Sequence, residues 1–446
     1  MLPTETDVLI IGAGPTGLAL AATLQQAGIR HVLIDKLAEG QNTSRAAVIH
    51  AHTLDVLDSI GVAGRLTAQG LKLSTFSVRD RDRPLLSLPF DTLASEHAYL
   101  LMLPQDVTER TLADRLAALG GTIHRGIAAT SVQQTAGGVQ VSVASQDGEN
   151  TIRARYVVGA DGMHSKVRAA ADIEFEGAPY SESFVLADVH MDWPLRDQEV
   201  SLFFSAAGLA VIAPLPNGSY RIVATLADAP EEPGVEDIQR LIDARGPTAQ
   251  TARVKDVTWS SRFRVHHRLA SSYRNDRLFL VGDAAHVHSP AGGQGMNCGL
   301  VDACVLGQLL SDVIRGRRTE EALDLYQTLR RPAAVEVLAL AGRLTKLATT
   351  RSRFIRTVRN AVFLMINHIK PAKLRMMLNL SGLGRDDLAR LPAPAGEGAR
   401  ETAPDFDGQR GDGSALTGNF TLDLRVPGVV LHFALHRVRD TQCIDS

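Results

Sequence analysis

Val8-Leu9-Ile10-Ile11-Gly12-Ala13-Gly14-Pro15-Thr16-Gly17 is the stretch that decides how this 446-residue chain is read. Four consecutive apolar residues predict a buried strand. The glycines after them open a helix from Pro15 to about Ala27, which Gly28 ends. His31 to Asp35 is then a second, parallel strand, so the first 35 residues make one βαβ unit. In that setting Gly12, Gly14 and Gly17 suit a dinucleotide. They permit a tight turn, close approach of backbone to a pyrophosphate, and tight helix packing, while the helix N-terminus supplies N–H donors and the positive end of its dipole. Asp35 ends the second strand, where a carboxylate accepts from ribose hydroxyls. This motif alone does not separate NAD from FAD.

Outward from the fingerprint, Val48, Leu54, Val56, Leu57 and Ile60 follow helical spacing up to Gly61, and Asp106 to Leu119 is a helix ending at Gly120-Gly121. Strands follow around Ile123 and Val139 to Val143. From about Tyr180 to Leu226 short runs alternate apolar and polar residues between Pro and Gly turns, which predicts an inserted antiparallel sheet. The α/β pattern returns at Arg277 to Val281, followed by a glycine-rich loop and a helix from about Met296 to Gly316. Helical, basic sequence continues to Leu383 as a cap. Beyond about Leu391 a Pro/Gly/Ala cluster reads as a linker with a small appendage.

Composition excludes several classes. With 45% apolar and 22% charged residues the chain has material for a sizeable core, and 47 basic against 49 acidic residues give no global field toward nucleic acid. Cys298, Cys304 and Cys443 form no CxxC pair, which argues against a disulfide scaffold, a zinc site or a dithiol centre, and points to the cytoplasm. The apolar stretch Val8 to Leu24 has no preceding Lys or Arg and is interrupted by glycines and Pro15, unlike a signal peptide. No stable membrane insertion is expected.

Two further segments place an Asp beside a glycine at a strand end. Gly159-Ala160-Asp161-Gly162 follows Tyr156-Val157-Val158, and Gly282-Asp283-Ala284-Ala285-His286 follows Leu278 to Val281 and leads into Ser289-Pro290-Ala291-Gly292-Gly293-Gln294-Gly295-Met296-Asn297. Together with the fingerprint, the set resembles the FAD-dependent aromatic hydroxylases of the para-hydroxybenzoate and phenol hydroxylase type, over roughly residues 5 to 345.

The resemblance implies an α/β fold: a Rossmann-like (GR2-type) FAD-binding domain from 1–75, 99–175 and 268–345, an inserted substrate-binding β-sheet domain from 76–98 and 176–267, and a C-terminal helical region 346–390. The segment 391–446 would be a linker and a remnant of a thioredoxin-like extension, because Ala403-Pro404-Asp405-Phe406 resembles its beginning and too little chain remains for the whole. It further implies that Gly12, Gly14 and Gly17 face the FAD pyrophosphate, Asp35 the adenosine ribose, Arg45 the phosphate side, Gln105 the cofactor, and Asp283 with Gly282 the ribityl chain. Asp161 would serve both FAD and a nicotinamide donor, and Gly295, Met296 and Asn297 would lie at the flavin. Pro290 and Gly293 mark the loop over the isoalloxazine ring, with no acid or base residue assigned. NADPH or NADH would reduce the flavin, and O2 would add to give a flavin C4a-hydroperoxide that oxidises the ring.

The residues leave alternatives beside these roles. Arg45 could be a surface arginine and Gln105 a helix cap. Asp283 is firmer, since an Asp between Gly282 and two alanines at a buried strand end is costly without a partner. His286 and His288 show no third ligand or partner carboxylate of matching spacing, so no metal is expected, and His266-His267 reads as an exposed strand end. The inserted sheet offers Phe203, Phe204, Ile212 and Pro214 as substrate contacts. Arg221, the one Arg from Val200 to Ala224, does not make a carboxylate clamp evident and could equally be a surface residue.

A hydrophobic phenolic or polycyclic aromatic substrate is therefore expected. A flavin-dependent reductase or halogenase on the same fold is the alternative, although Trp193 and Trp259 cannot form the WxWxIP segment of halogenases. A flavin fold kept only for partner binding would be a third class, against which the intact loop argues. The basic cap helices, with apolar positions interleaved, read as a solvated face rather than a membrane contact. Oligomeric state stays open, a homodimer being compatible.

Overall fold

The computed structural model describes residues 2–40, 46–226, 230–290, 292–348, 350, 352–393, 422–426 and 429–433. Residues 1–395 form one compact unit and 396–446 another.

The run that opens the sequence is the central strand Glu5–Ile11 of the first sheet, with Val8, Leu9 and Ile10 wholly buried. A strand covered on both faces needs this continuous apolar run rather than alternation. His31–Asp35 pairs parallel on one side, Val8 opposite His31, and Gly148–Gly159 on the other, Val8 opposite Tyr156. Leu278–Leu280 extends the sheet in parallel next to Gly148–Gly159, so the ends of these strands converge on one edge. The fingerprint helix Pro15–Gln26 and the core helix Gly295–Ile314 pack together against this sheet. The core helix is long and apolar enough to cross a membrane by length and composition, yet it is almost wholly buried in the fold.

The second sheet has eight strands, ordered His286–Val287, Arg253–Ala270, Phe175–Asp192, Tyr220–Thr225, Gly208–Pro214, Glu199–Ser205, Thr75–Asp80 and Arg83–Pro89. It is antiparallel except where Glu199–Ser205 meets Thr75–Asp80 in parallel. Both faces are covered. Phe203 and Ile212 pack on the helix Val235–Arg245, whereas Phe204 turns the other way and stacks on Phe363 of the cap helix Arg353–Asn367, centroids 5.7 Å apart.

One local expectation shifts, and the helical cap is drawn in detail. Val48 belongs to a short strand, Val48–Ile49, and the helix begins at Ala51. The cap starts with one long helix, Asp324–Ala348, that runs through Pro332, and continues with Arg353–Asn367 and Lys370–Ser381. In the tail unit, Leu422–Val426 and Val429–Phe433 form an antiparallel hairpin. Ala403 to Phe406 lie outside the described residues.

Candidate active site

A single cavity of about 820 Å³ runs from the fingerprint past the loop 288–296 to the second sheet. That is the size range of cofactor and small-molecule sites. Gly12, Gly14, Asp35, Gln105, Asp161, Asp283, Pro290, Gly293, Gly295 and Met296 all line it. Gly17, Gly282 and Asn297 do not; they hold the wall from behind.

The three fingerprint glycines divide the work. Gly12 has φ +108°, and a Cβ there would stand 2.3 Å from the Ala160 carbonyl oxygen, so the turn sits directly on the neighbouring strand end. A Cβ on Gly17 would stand 1.9 Å from the Gly12 oxygen, so this position sets helix packing. Only Gly14 faces open space, with nothing within 4 Å of its would-be Cβ. Gly14 is also the N-cap of the fingerprint helix and no side chain caps it, which leaves first-turn N–H groups directed at the cavity. That is a cradle for a pyrophosphate.

Asp35 ties the turn together: its carboxylate accepts from the N–H of Ala13 at 2.7 Å and of Leu37 at 2.8 Å. Each oxygen keeps a lone pair for a further donor. Gln105 does not cap its helix. Its Oε1 accepts from the Ala46 N–H at 3.1 Å and its Nε2 donates to Glu109. Asp161 accepts from the Lys166 N–H at 2.7 Å through Oδ2, while its Oδ1 is buried without a partner. Burial raises this carboxyl, partly offset by bonds from Ser165 and the Lys166 backbone. Asp283 is exposed on the cavity wall, so the expected burial cost does not arise there. Arg45 lies outside the described residues.

The loop over the middle of the cavity is held from three sides. Gly293 has φ +63° and lies so close to Val48 that a Cβ would stand 2.1 Å from its Cγ1. Asn297 accepts from the His50 N–H at 2.8 Å and donates to the oxygens of Val48 and Gly293. His50 Nε2 stands 2.9 Å from the Gly292 oxygen and donates to it, leaving Nδ1 as a buried lone-pair atom without a partner. Burial holds the His50 and His288 imidazoles down to about 4, so both are neutral. Arg385 and the Leu380 carbonyl, both from the cap, reach the loop through the side chain of Gln294.

Behind the loop, the expectation that His286 has no partner carboxylate is corrected. His286 Nε2 is 2.7 Å from Asp302 on the core helix, and Arg330 Nε donates to the other Asp302 oxygen at 2.8 Å, with all three side chains buried. The pairing spans a strand, a loop and a helix, so no local spacing could reveal it. Cys298 also lies near His286 and Asp302, but Arg330 contacts both Cys298 and Asp302, and a guanidinium among these ligands opposes a cation. Burial works against the charge on His286 and is outweighed by Cys298 and Asp302, which raise its pKa. Burial likewise pushes Asp302 up, and Arg330 and His286 more than offset it.

At the far end the cavity becomes apolar. Its wall comprises Phe76, Leu100, Met102, Val200, Leu202, Leu209, Val211, Ala213, Val223, Phe263 and, from the cap, Leu344 and Leu380. None of Phe203, Phe204, Ile212 and Pro214 is among the lining residues. Strand parity explains the difference: Val200, Leu202, Val211 and Ala213 face the chamber, so Phe203 and Ile212 must face the opposite helix. Phe204 shares the chamber's face but is covered by Phe363.

Arg221 is not on the surface. It is 3% exposed, makes a bidentate pair with Asp188 at 2.6 Å for both bonds, and donates its remaining arm to the Ala46 oxygen. His266, expected at an exposed strand end, also lines the cavity.

An open βαβ crevice with an uncapped glycine cradle, joined by a glycine loop to an apolar chamber, is the architecture of a dinucleotide-cofactor enzyme acting on an apolar small molecule. Residues 5–341 match the model of the FAD binding domain family, and the chain belongs to that family, among the flavin-dependent aromatic monooxygenases. The 12-dehydrotetracycline 5-monooxygenase/anhydrotetracycline 6-monooxygenase of Streptomyces rimosus is 37% identical over 349 residues, covering 74% of this chain and 68% of that protein. Pentachlorophenol 4-monooxygenase of Sphingobium chlorophenolicum is 32% identical over 341 residues, covering 75% of this chain and 63% of that protein. Among solved structures, p-nitrophenol 4-monooxygenase of Pseudomonas putida superposes with a TM-score of 0.78 over 87% of this chain and all of that one, at 24% identity, which speaks to the fold.

Proposed function

We propose that this protein hydroxylates a neutral, hydrophobic phenolic or polycyclic aromatic substrate, consuming NADPH or NADH and O2. The observation that carries this reading is the apolar chamber joined to the fingerprint crevice by the loop 288–296. Bound FAD would supply the redox chemistry, taking electrons from the nicotinamide and delivering one oxygen atom of O2 to the ring.

Gly12, Gly14 and Asp35 would hold the pyrophosphate and ribose, and Asp161 Oδ1 and Asp283 would take hydroxyl donors from the rest of the cofactor. Gly295 and Met296 begin a 20-residue helix without a side-chain cap, whose positive end favours negative charge beside the loop. The chamber's apolar side chains exclude water and orient a flat ring by shape. Relatives named for tetracycline-type and chlorinated phenolic substrates support the aromatic class.

The closed Arg221–Asp188 pair favours a neutral substrate. A guanidinium already engaged on both edges offers no free fork to a substrate carboxylate. The test is a screen of phenols, quinones and polycyclic aromatics for stimulated nicotinamide oxidation with product mass read out. A gain of one oxygen is expected. Substrate reduction without O2 uptake would favour the reductase alternative, and peroxide alone with every compound would refute the substrate class.

A further inference from the structure

The outer face of the cap combines two features that a merely solvated helix does not need. Not one Asp or Glu stands between Glu336 and Asp386, while Lys or Arg stands at ten positions there, of which Arg359 and Arg385 are buried, in a chain whose net charge is −2. Within the same segment lie Phe354, Met365, Ile369 and Leu374, exposed by 68%, 48%, 40% and 44%. These are four of the six large apolar side chains standing exposed among the described residues.

The inner faces of the same helices are satisfied. Phe363, Met377 and Leu380 are buried against the second sheet and chamber, so the outward apolar residues are not displaced core. On Arg353–Asn367, Phe354, Thr357, Ala361 and Met365 follow one another along one exposed stripe. Arg353, Lys370 and Arg375 are exposed around it.

We propose that this face docks the protein peripherally on an anionic lipid bilayer. Single apolar side chains set among cations, on a face without Asp or Glu, suit anionic headgroups and the upper acyl region. Leu344 and Leu380, on the cap's inner side, line the chamber, so the docked face backs directly onto the chamber wall.

The full-length, FAD-loaded protein is mixed with sedimentable vesicles of phosphatidylcholine alone or containing about 30 mol % phosphatidylglycerol, at about 0.1 and 0.5 M salt. The expected result is co-sedimentation with the anionic vesicles only, weakened by salt. The triple variant Arg353→Gln/Lys370→Gln/Arg375→Gln lowers partitioning about 100-fold with flavin content unchanged. Phe354→Ser lowers it about tenfold. No binding to anionic vesicles, or equal binding to neutral ones, overturns the proposal. So does binding to soluble polyglutamate as strong as to vesicles with Phe354→Ser without effect, which would mark the face as a site for an acidic polypeptide.

Discussion

Replacing Asp302 by Asn tests whether the charged cluster behind the loop holds the site together. In the native protein the carboxylate stands between two donors, His286 Nε2 at 2.7 Å and Arg330 Nε at 2.8 Å. An Asn has nearly the same size but one acceptor. It can accept from Arg330 and donate to a His286 that has released its proton, so the imidazole adapts while the guanidinium stays buried and uncompensated. Breaking a buried pair in this way costs about 3–5 kcal/mol. With an unfolding entropy of roughly 2.1 cal/mol/K per residue spread over the compact unit 1–395, that cost lowers the midpoint by about 4–6 °C. Scanning calorimetry of the apo and FAD-loaded forms reads the shift. The double variant Asp302→Leu/Arg330→Met removes both charges and should lose less than Asp302→Asn alone. A single variant melting within about 1 °C of the parent would refute the argument.

Acid should weaken the fold through its buried histidines. His50, His52 and His288 are held at about 4 by burial, against an ordinary 6.5. Because the unfolded chain binds these protons first, stability is fully present above about pH 6.5 and falls as pH drops toward 4, by up to about 3 kcal/mol per histidine. His286, whose pKa is raised, contributes stability that is fully present below about 6.5 and lost as pH rises through its folded value, so it does not mask that window. Denaturant midpoints flat between pH 7 and pH 4.5 would contradict this. Gly14→Ala should fold normally yet bind FAD more weakly by tenfold or more, roughly 1.4 kcal/mol, whereas Gly12→Ala should destabilise the turn itself; flavin titration and thermal melting separate the two. Val211→Phe, on the chamber face, should change KM and substrate range, while Ile212→Ala costs about 2–5 kcal/mol of stability with KM unchanged. Asp188→Asn leaves Arg221 without its counter-charge and should turn the chamber toward benzoate-type substrates, seen as a carboxylated aromatic newly stimulating nicotinamide oxidation.

The strands and helices around the fingerprint were legible because local signals coincide there. The apolar run, the glycines and Asp35 all lie within 35 residues and answer to one motif. The inserted sheet was legible as a sheet, yet the side facing the chamber was not: Phe203 and Phe204 are both apolar, both buried, and only pairing to named neighbours decides which looks inward. Arg221 failed for a related reason, since its partner Asp188 lies 33 residues away on an adjacent strand. His286 needed Asp302 and Arg330, brought together by the packing of a strand, the core helix and the cap.

Ala46 lies between the crevice and the substrate sheet and bonds to both. Its N–H is taken by Gln105 beside the crevice, and its carbonyl by both the Gln105 N–H and Arg221 of the substrate sheet. The Ala46 carbonyl oxygen, shared by the Gln105 N–H and Arg221, ties the two walls at one atom, so that a shift of the sheet at Arg221 bears on the crevice at Gln105. For anyone redesigning the substrate range, this separates two kinds of position. Val200, Leu202, Val211 and Val223 can be exchanged as wallpaper, whereas touching Arg221 or Asp188 retunes how the two halves of the site are registered.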